Sequence, residues 1–462
     1  MLGVLMLDKL PITGIVRIEE VSVSGRVLAF TAGLSVLTGL LFGLMPALRA
    51  YAMGMVAGMR EGVRGTVSNR RLNSALVAVQ FALSVVLLIG AGLLLKSFQR
   101  LESADLGFNA ENTLTMVATL PRTKYDNEEK ALRFYDDALE RLRNSPGIKS
   151  VGLTTNLPFA DGGNVDGFIV EGREPPEGQP VSQTEQAEIQ SVTPGTFQTL
   201  NIPLLQGRDF QPADKANTPL VAIIDEPLAR RYWPAGDAIG RRIQTTGDRQ
   251  WMTIVGIVGG IKHQSLAEEK QPHIYAPLAQ APSPRASFVV RTDGPPSAAV
   301  STFRAAISQV DADMPLYMVR SMTEIIGETL GTQRLTNMLL TAFAMLALTL
   351  AAVGIYSTMS LYVGSRTKEF GIRLALGAEP GALRRLVLRQ GLLLTGAGVV
   401  IGVAGALALT RTIQSLLFEV SPTDPFVFTA IPLLLVVVSV LACYTPARRA
   451  TKVDPLVALR DE

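Results

Sequence analysis

LNSALVAVQFALSVVLLIGAGLLL, residues Leu72–Leu95, contains no Asp, Glu, Lys or Arg. As a helix rising about 1.5 Å per residue it is long enough to cross roughly 30 Å of hydrocarbon. Four other stretches share this character: Val27–Leu48, Leu335–Ser365, Gln390–Thr410 and Pro425–Ala447. A core helix of a soluble protein rarely stays uncharged over about 20 residues, so each reads as a transmembrane helix. Between the second and third lies a soluble block, Ser97–Arg334, tethered to the bilayer at both ends.

Averages over the whole chain hide this layout. A mean hydropathy of +0.28 with 18% charged residues suits a mixed membrane and soluble protein. The net charge of +3 is too small to suggest nucleic-acid binding, and no basic run with interleaved aromatics is present. Cys443 is the sole cysteine and lies within the last apolar stretch, which excludes an intrachain disulfide and a Cys-based metal site. Arg49, Arg60, Arg64, Arg70 and Arg71 follow the first span, and Arg366, Lys368, Arg373, Arg384, Arg385 and Arg389 follow the third. The tail adds Arg448, Arg449, Lys452 and Arg460. By the positive-inside rule these segments are cytoplasmic, and the soluble block faces outward, as does the start of the chain.

An internal repeat accounts for that outward start. Pro46-Ala47-Leu48-Arg49-Ala50 closes the first span, and Pro446-Ala447-Arg448-Arg449-Ala450 closes the last. Without a gap, Val56–Glu61 then lies over Leu456–Asp461, each an apolar turn ending in Arg and an acid. Residues 1–62 therefore read as the last span and cytoplasmic tail of an upstream repeat, and residues 70–462 as one complete copy.

In the outward block (97–334), Thr113–Leu120 reads as a strand and Asn127–Arg143 as an amphipathic helix. Ala131, Phe134, Tyr135, Ala138, Leu139 and Leu142 share one face of that helix, and Ile148–Thr155 reads as the next strand. A second β-α-β unit spans Ser287–Arg291, Ser297–Val310 and Leu316–Arg320. They flank an insert at 160–280 with short strands Phe168–Glu171, Glu185–Val192, Val221–Asp225 and Met252–Val258, and a helix Glu226–Trp233. Lys96–Leu101 and Thr323–Met338 read as helical continuations of spans two and three, a two-helix stalk.

Catalytic candidates in the block are few. His263 and His273, the only histidines, have no recognisable further metal ligands at Glu268 or Glu269, and read as structural or surface residues. Asp225-Glu226 reads as a helix N-cap. Neither a Gly-x-Ser-x-Gly elbow nor a P-loop occurs in these 462 residues, so no catalytic, cofactor or metal site is expected.

The sharpest local signal follows the third span: SRTKEFGIRLALGA, Ser365–Ala378. On a helix, Glu369 and Arg373 stand one turn apart and can pair, while Phe370 and Leu374 form an apolar knob. Gly371 lies within that turn, Gly377 is suited to end it, and Glu379-Pro380 can start the next helix. The result is a short amphipathic helix along the inner surface.

Arg366-x-Lys-Glu-Phe-Gly-Ile-Arg-x-Ala-Leu-Gly-Ala378 resembles the signature of the MacB/FtsX-type ABC-transporter permeases. The tail from Pro446 to Arg460 is similar to the same family's carboxy end, and Ala229–Pro234 with Ile239–Arg242, Ile254–Gly259 and Pro272–Pro277 resemble its MacB-like periplasmic core domain. With the repeat, the chain looks like the carboxy-terminal part of a duplicated permease of the acidobacterial type. The resemblance implies an α-helical membrane protein with a large α+β periplasmic domain at 97–334. The permease core would have four helices, at 72–96, 335–365, 390–410 and 425–447, with one extra N-terminal transmembrane helix at 27–48. It implies a bacterial inner-membrane location and a partner ABC ATPase on the cytoplasmic side. Glu369, Phe370, Gly371, Arg373, Leu374 and Gly377 would form the coupling helix, with Phe370 and Leu374 filling an apolar pocket of the ATPase. It further implies a mechanotransmitting system for efflux or extraction of a hydrophobic or peptide-like substrate. The alternative is an FtsX-like signalling scaffold acting on a periplasmic partner. A second permease copy, as homodimer or upstream repeat, is a further expected partner. The glycines of the fourth span, Gly398 and Gly402 above all, suit either intrachain packing or a dimer seam.

Overall fold

The computed structural model describes residues 25–26, 28–33, 35–36, 64–160, 162–173, 185–246 and 250–451, with side chains in the first long helix from residue 74 onward. Most of Val27–Leu48, the motifs Pro46–Ala50 and Val56–Glu61, and Lys452–Arg460 lie outside the described residues. The chain divides into two compact units, Met1–Arg100 with Thr332–Glu462, and Leu101–Gly331.

The second unit begins at the end of α1 (Arg64–Glu102). Its first layer is a sheet of β1 (Thr113–Thr119), β2 (Ile148–Thr154), β10 (Arg285–Thr292) and β11 (Tyr317–Ser321) in the order β11-β1-β10-β2. The two β-α-β units interleave, because β10 pairs with both β1 and β2. This is the split βαβ arrangement of ferredoxin-like sheets. Helices α2 (Glu128–Arg143) and the one after β10 supply the apolar cover of this layer, with Phe134, Tyr135, Leu139, Phe288 and Phe303 in one cluster. The Asn127 side chain caps α2 by accepting from Lys130 N at 2.9 Å. The buried face of α2 is Ala131, Phe134, Tyr135, Ala138, Leu139 and Leu142, as its periodicity predicts.

Between β2 and β10 the chain builds a closed ring. Its strands are β3 (Val165–Val170), β4 (Gln186–Val192), β6 (Val221–Asp225), β7 (Arg242–Thr245), β8 (Trp251–Val258) and β9 (His273–Pro277). They run β4-β3-β7-β8-β6-β9, and β9 then pairs in parallel with β4 to close the circuit. Closure leaves no unpaired edge within the ring. Phe168, Ala187, Ile224, Ile243, Ile254 and Ile274 bring side chains from all six strands into one apolar cluster. Two short helices join it, α3 (Thr196–Leu200) and α4 (Glu226–Tyr232), and β5 (Leu204–Gly207) adds to β8. Asp225 caps α4 by accepting from Leu228 N at 3.1 Å, the N-cap role read from its sequence.

Arg291 on β10 ties these pieces together. Its guanidinium donates to the carbonyls of Thr199 (2.7 Å), Glu111 (3.0 Å) and Asn109 (2.9 Å). Arg291→Ala would strip a charged donor from three backbone carbonyls and is expected to destabilise this unit by about 3 kcal/mol. Denaturant unfolding monitored on the full chain measures it.

After α5 (Pro296–Val310) and β11, α6 (Met322–Thr329) starts with a capping box between Ser321 and Glu324. It ends at Leu330, and α7 (Gly331–Gly364) starts anew. The expected single helix over Thr323–Met338 is therefore two helices, broken where Gly327 and Gly331 weaken helix propensity. The first unit contains α7, α8 (Thr367–Ala375), α9 (Pro380–Leu409) and α10 (Pro425–Ala450) beside α1. Among the described residues, four of its helices are long and apolar enough to cross a membrane: Ser74–Glu102 of α1, and α7, α9 and α10. Within these segments α1 is 44% buried and each of the others 22%, so α1 is the helix the bundle packs around.

Glycine decides how closely α9 approaches it. A Cβ on Gly398 would meet Phe81 Cβ at 2.5 Å, and one on Gly402 would meet Val85 Cβ at 2.5 Å and Ala82 O at 2.8 Å. The small-xxx-small face of α9 is thus used within the chain, against α1. Thr395 and Ser439 share a 2.6 Å hydrogen bond between α9 and α10, and Lys96 pairs with Asp424 at 2.6 Å.

Candidate functional site

The candidate residues gather on α8, a helix of nine residues starting after Arg366. Glu369 accepts from Arg373 at 2.6 Å and lies 3.4 Å from Arg366. All three side chains are partly exposed, so the pairs set register more than they stabilise. The helix stops in a Schellman turn. Gly377 has φ +88, Gly377 N donates to Leu374 O at 3.0 Å, and Ala378 N donates to Arg373 O at 2.9 Å. Pro380 then opens α9, with extended Glu379 at its N-cap.

Phe370 requires a correction. It is fully buried, in the same apolar cluster as Tyr362, Leu383, Val387 and Ala447, and Leu374 packs against that cluster. Gly371 beside it is buried as well. Phe370 therefore anchors α8 to its own bundle and is not a knob presented to another protein. The physical reason is that this chain supplies an apolar surface for that face without help from outside. The outward apolar pair is Ile372, 47% exposed, and Leu376, 82% exposed. Lys368, Arg373, Arg384 and Arg385 are also exposed. Ile372 and Leu376 were legible only as a second i, i+4 apolar pair; periodicity cannot say which of two such pairs turns inward.

A second constellation lies in the other unit. His263 and His273 are 5% and 0% exposed, with ring centroids 5.5 Å apart, so neither is a surface residue. Parallel pairing of β4 with β9 sets Glu188 beside His273. His263 Nε2 lies 3.6 Å from Glu188 Oε1. His273 Nδ1 lies 3.1 Å from Asp225 Oδ2 and 2.7 Å from Gln271 O, and its ring stacks on Tyr275. Burial, and then the neighbouring His273, push the His263 pKa down to about 3. Burial likewise raises that of the Tyr275 phenol. Among the described residues, no group of three or more His, Cys, Asp or Glu is arranged to hold a metal ion. Ten positions of sequence separate the two histidines, and only closure of the ring shows that they meet.

Comparison with known families places this architecture. Residues 74–313 match the MacB-like periplasmic core domain, more than half of the chain, and residues 341–455 match the FtsX-like permease C-terminal domain. The chain belongs to the MacB/FtsX-type permeases. The domain between α1 and α7 is thus this family's periplasmic domain, and the protein is a multi-pass protein of the bacterial inner membrane. This permease is 25% identical over 275 residues to the macrolide export ATP-binding/permease protein MacB of Azoarcus sp. (strain BH72), aligning 57% of this chain with 40% of that protein. It is 26% identical over 283 residues to the probable syringafactin export ATP-binding/permease protein SyfD of Pseudomonas syringae pv. tomato, aligning 59% of this chain with 42% of that protein. The ABC transporter permease YtrF of Bacillus subtilis (strain 168) is 33% identical over 133 residues, 25% of this chain and 30% of YtrF. The permease thus spans about two fifths of the length of the curated export proteins it matches.

Proposed function

We propose that this chain is the permease subunit of a mechanotransmitting ABC system. A partner ATPase docks on α8 from the cytoplasmic side. Its nucleotide-driven movement passes through α1 and α7 to the periplasmic domain, which drives efflux or extraction of a hydrophobic or peptide-like substrate. The observation that carries this reading is α8 itself. It is anchored inward by Phe370, stopped by Gly377, and presents Ile372 and Leu376 among basic side chains. A short amphipathic helix held that firmly suits insertion into an apolar groove with an acidic rim. Glu369, Gly371, Arg373 and Leu374 then hold its register, and Gly377 fixes where it ends.

The names of the relatives, which pair permease with ATP-binding protein and refer to macrolide or syringafactin export, support the same class of activity. A cleft of about 780 Å³ in the periplasmic unit, between α2 and the loops bearing Pro212, Lys215 and Leu278, has the size of a ligand pocket. Ile372→Glu with Leu376→Glu is expected to cut stimulation of the co-reconstituted ABC ATPase about tenfold or more, because the central apolar anchors of such a contact dominate its energy. Unchanged stimulation in proteoliposomes overturns the docking role. Substrate accumulation in inverted vesicles separates efflux from signalling to a periplasmic partner.

A further inference from the structure

Buried polar atoms are almost always hydrogen-bonded, and those that are not call for an explanation. In the periplasmic unit the unpartnered atoms include Nδ1 of His263, Nε2 of His273, the Tyr275 hydroxyl and Nε2 of Gln190. All four residues belong to or adjoin the histidine constellation, which the docking mechanism does not use.

The same constellation holds down a strap. Glu188 Oε1 accepts from Asn156 Nδ2 at 2.7 Å and from Asn164 N at 2.5 Å. Phe159 N donates to the His263 carbonyl at 2.7 Å, and Phe159 itself sits at φ +63, a conformation that side chains other than glycine adopt reluctantly. A Cβ on Gly163 would lie 2.6 Å from Gln264 Nε2 and 2.9 Å from both Glu188 carboxylate oxygens, so the strap sits flush on the cluster. Among the described residues, the charged and titratable groups facing His263 are Glu188 from β4 and His273 from β9. Asp225 from β6 and Tyr275 from β9 stand behind His273. Among its described residues, the strap contributes the neutral amides Asn156 and Asn164.

We propose that His263 is a proton-binding site that releases the strap at Asn156–Ala160 in acid. Neutral His263 leaves the Glu188 carboxylate to the two strap donors. A proton on the imidazole makes Nε2 a charged donor 3.6 Å from the oxygen that holds both, and it competes for that oxygen. Otherwise the charged ring must reach water by displacing the strap that covers it. Both routes open the same segment, on the side of the membrane where pH follows the medium.

The sign follows from linkage. The closed state disfavours the proton that the open state binds with an ordinary imidazole pKa near 6.5. Closure is therefore complete above that value and weakens as pH falls, by about tenfold per pH unit. Between pH 7.5 and 5.0 the closing constant should drop roughly 30-fold.

Hydrogen exchange on the full chain in nanodiscs, corrected for intrinsic rates, reads this at peptides covering Asn156–Ala160 and Ile261–Gln264. The wild type should lose protection with an onset near pH 6.5, and His263→Gln should be flat. Three outcomes overturn the proposal: wild-type protection that does not change with pH, the same acid loss in His263→Gln, and protection that follows added zinc at fixed pH. The wild-type profile alone decides if the variant does not fold. The readout involves no ATPase, so it is independent of the docking proposal.

Discussion

Gly402→Ala should lower the stability of the helical bundle by about 1–3 kcal/mol, the range for forcing one methyl into a packed site. The neighbouring substitution Gly396→Ala should stabilise it or leave it unchanged. The two residues sit on one helix, and in both cases alanine favours helix by about 1 kcal/mol. What differs is the surroundings. The added Cβ at Gly402 meets Val85 Cβ at 2.5 Å, Ala82 O at 2.8 Å and Ala82 Cα at 3.0 Å, whereas nothing lies within 4 Å of it at Gly396. Two of the three obstacles at Gly402 are backbone atoms of α1 and cannot rotate away. Thermal melting of the purified permease in detergent measures both variants, and equal melts would show that α1 and α9 are not in register as described.

Phe370→Ala should cost about 3–5 kcal/mol of bundle stability, the usual penalty for emptying a buried aromatic site. On the proposed docking it should also blunt ATPase stimulation, because α8 loses the side chain that holds it. The outward pair behaves differently. Leu376→Glu changes a residue 82% exposed, so the melt should hold while coupling fails. Melting temperature and stimulation measured on the same preparations separate an anchor from a contact. A Phe370→Ala protein with an unchanged melt would return Phe370 to the surface.

The membrane character of the chain was open to inspection before any fold, because uncharged runs such as Leu72–Leu95 have one stable solution in a bilayer, the helix. The buried face of α2 and the Asp225 cap were equally legible. Local periodicity and capping chemistry need no distant partner. The short strands β5, β7 and β9 were not read from the sequence, although β6, as short as β9, was. On α8 the sequence pointed to Phe370 and Leu374 as the outward knob, whereas the structure buries Phe370 and exposes Ile372 and Leu376.

Composition and pattern along the chain thus determined that this is a bilayer-spanning protein with an α+β domain outside it, and that a short helix stopped at Gly377 follows the third span. Tertiary structure alone decided that Phe370 faces inward, that Gly398 and Gly402 receive α1, and that His263, His273 and Glu188 share one buried site. The reason is the range of the forces involved. Hydropathy and capping act between neighbours in sequence, whereas burial depends on which remote surface arrives, and at the histidine site the parallel pairing of β4 with β9 brings it.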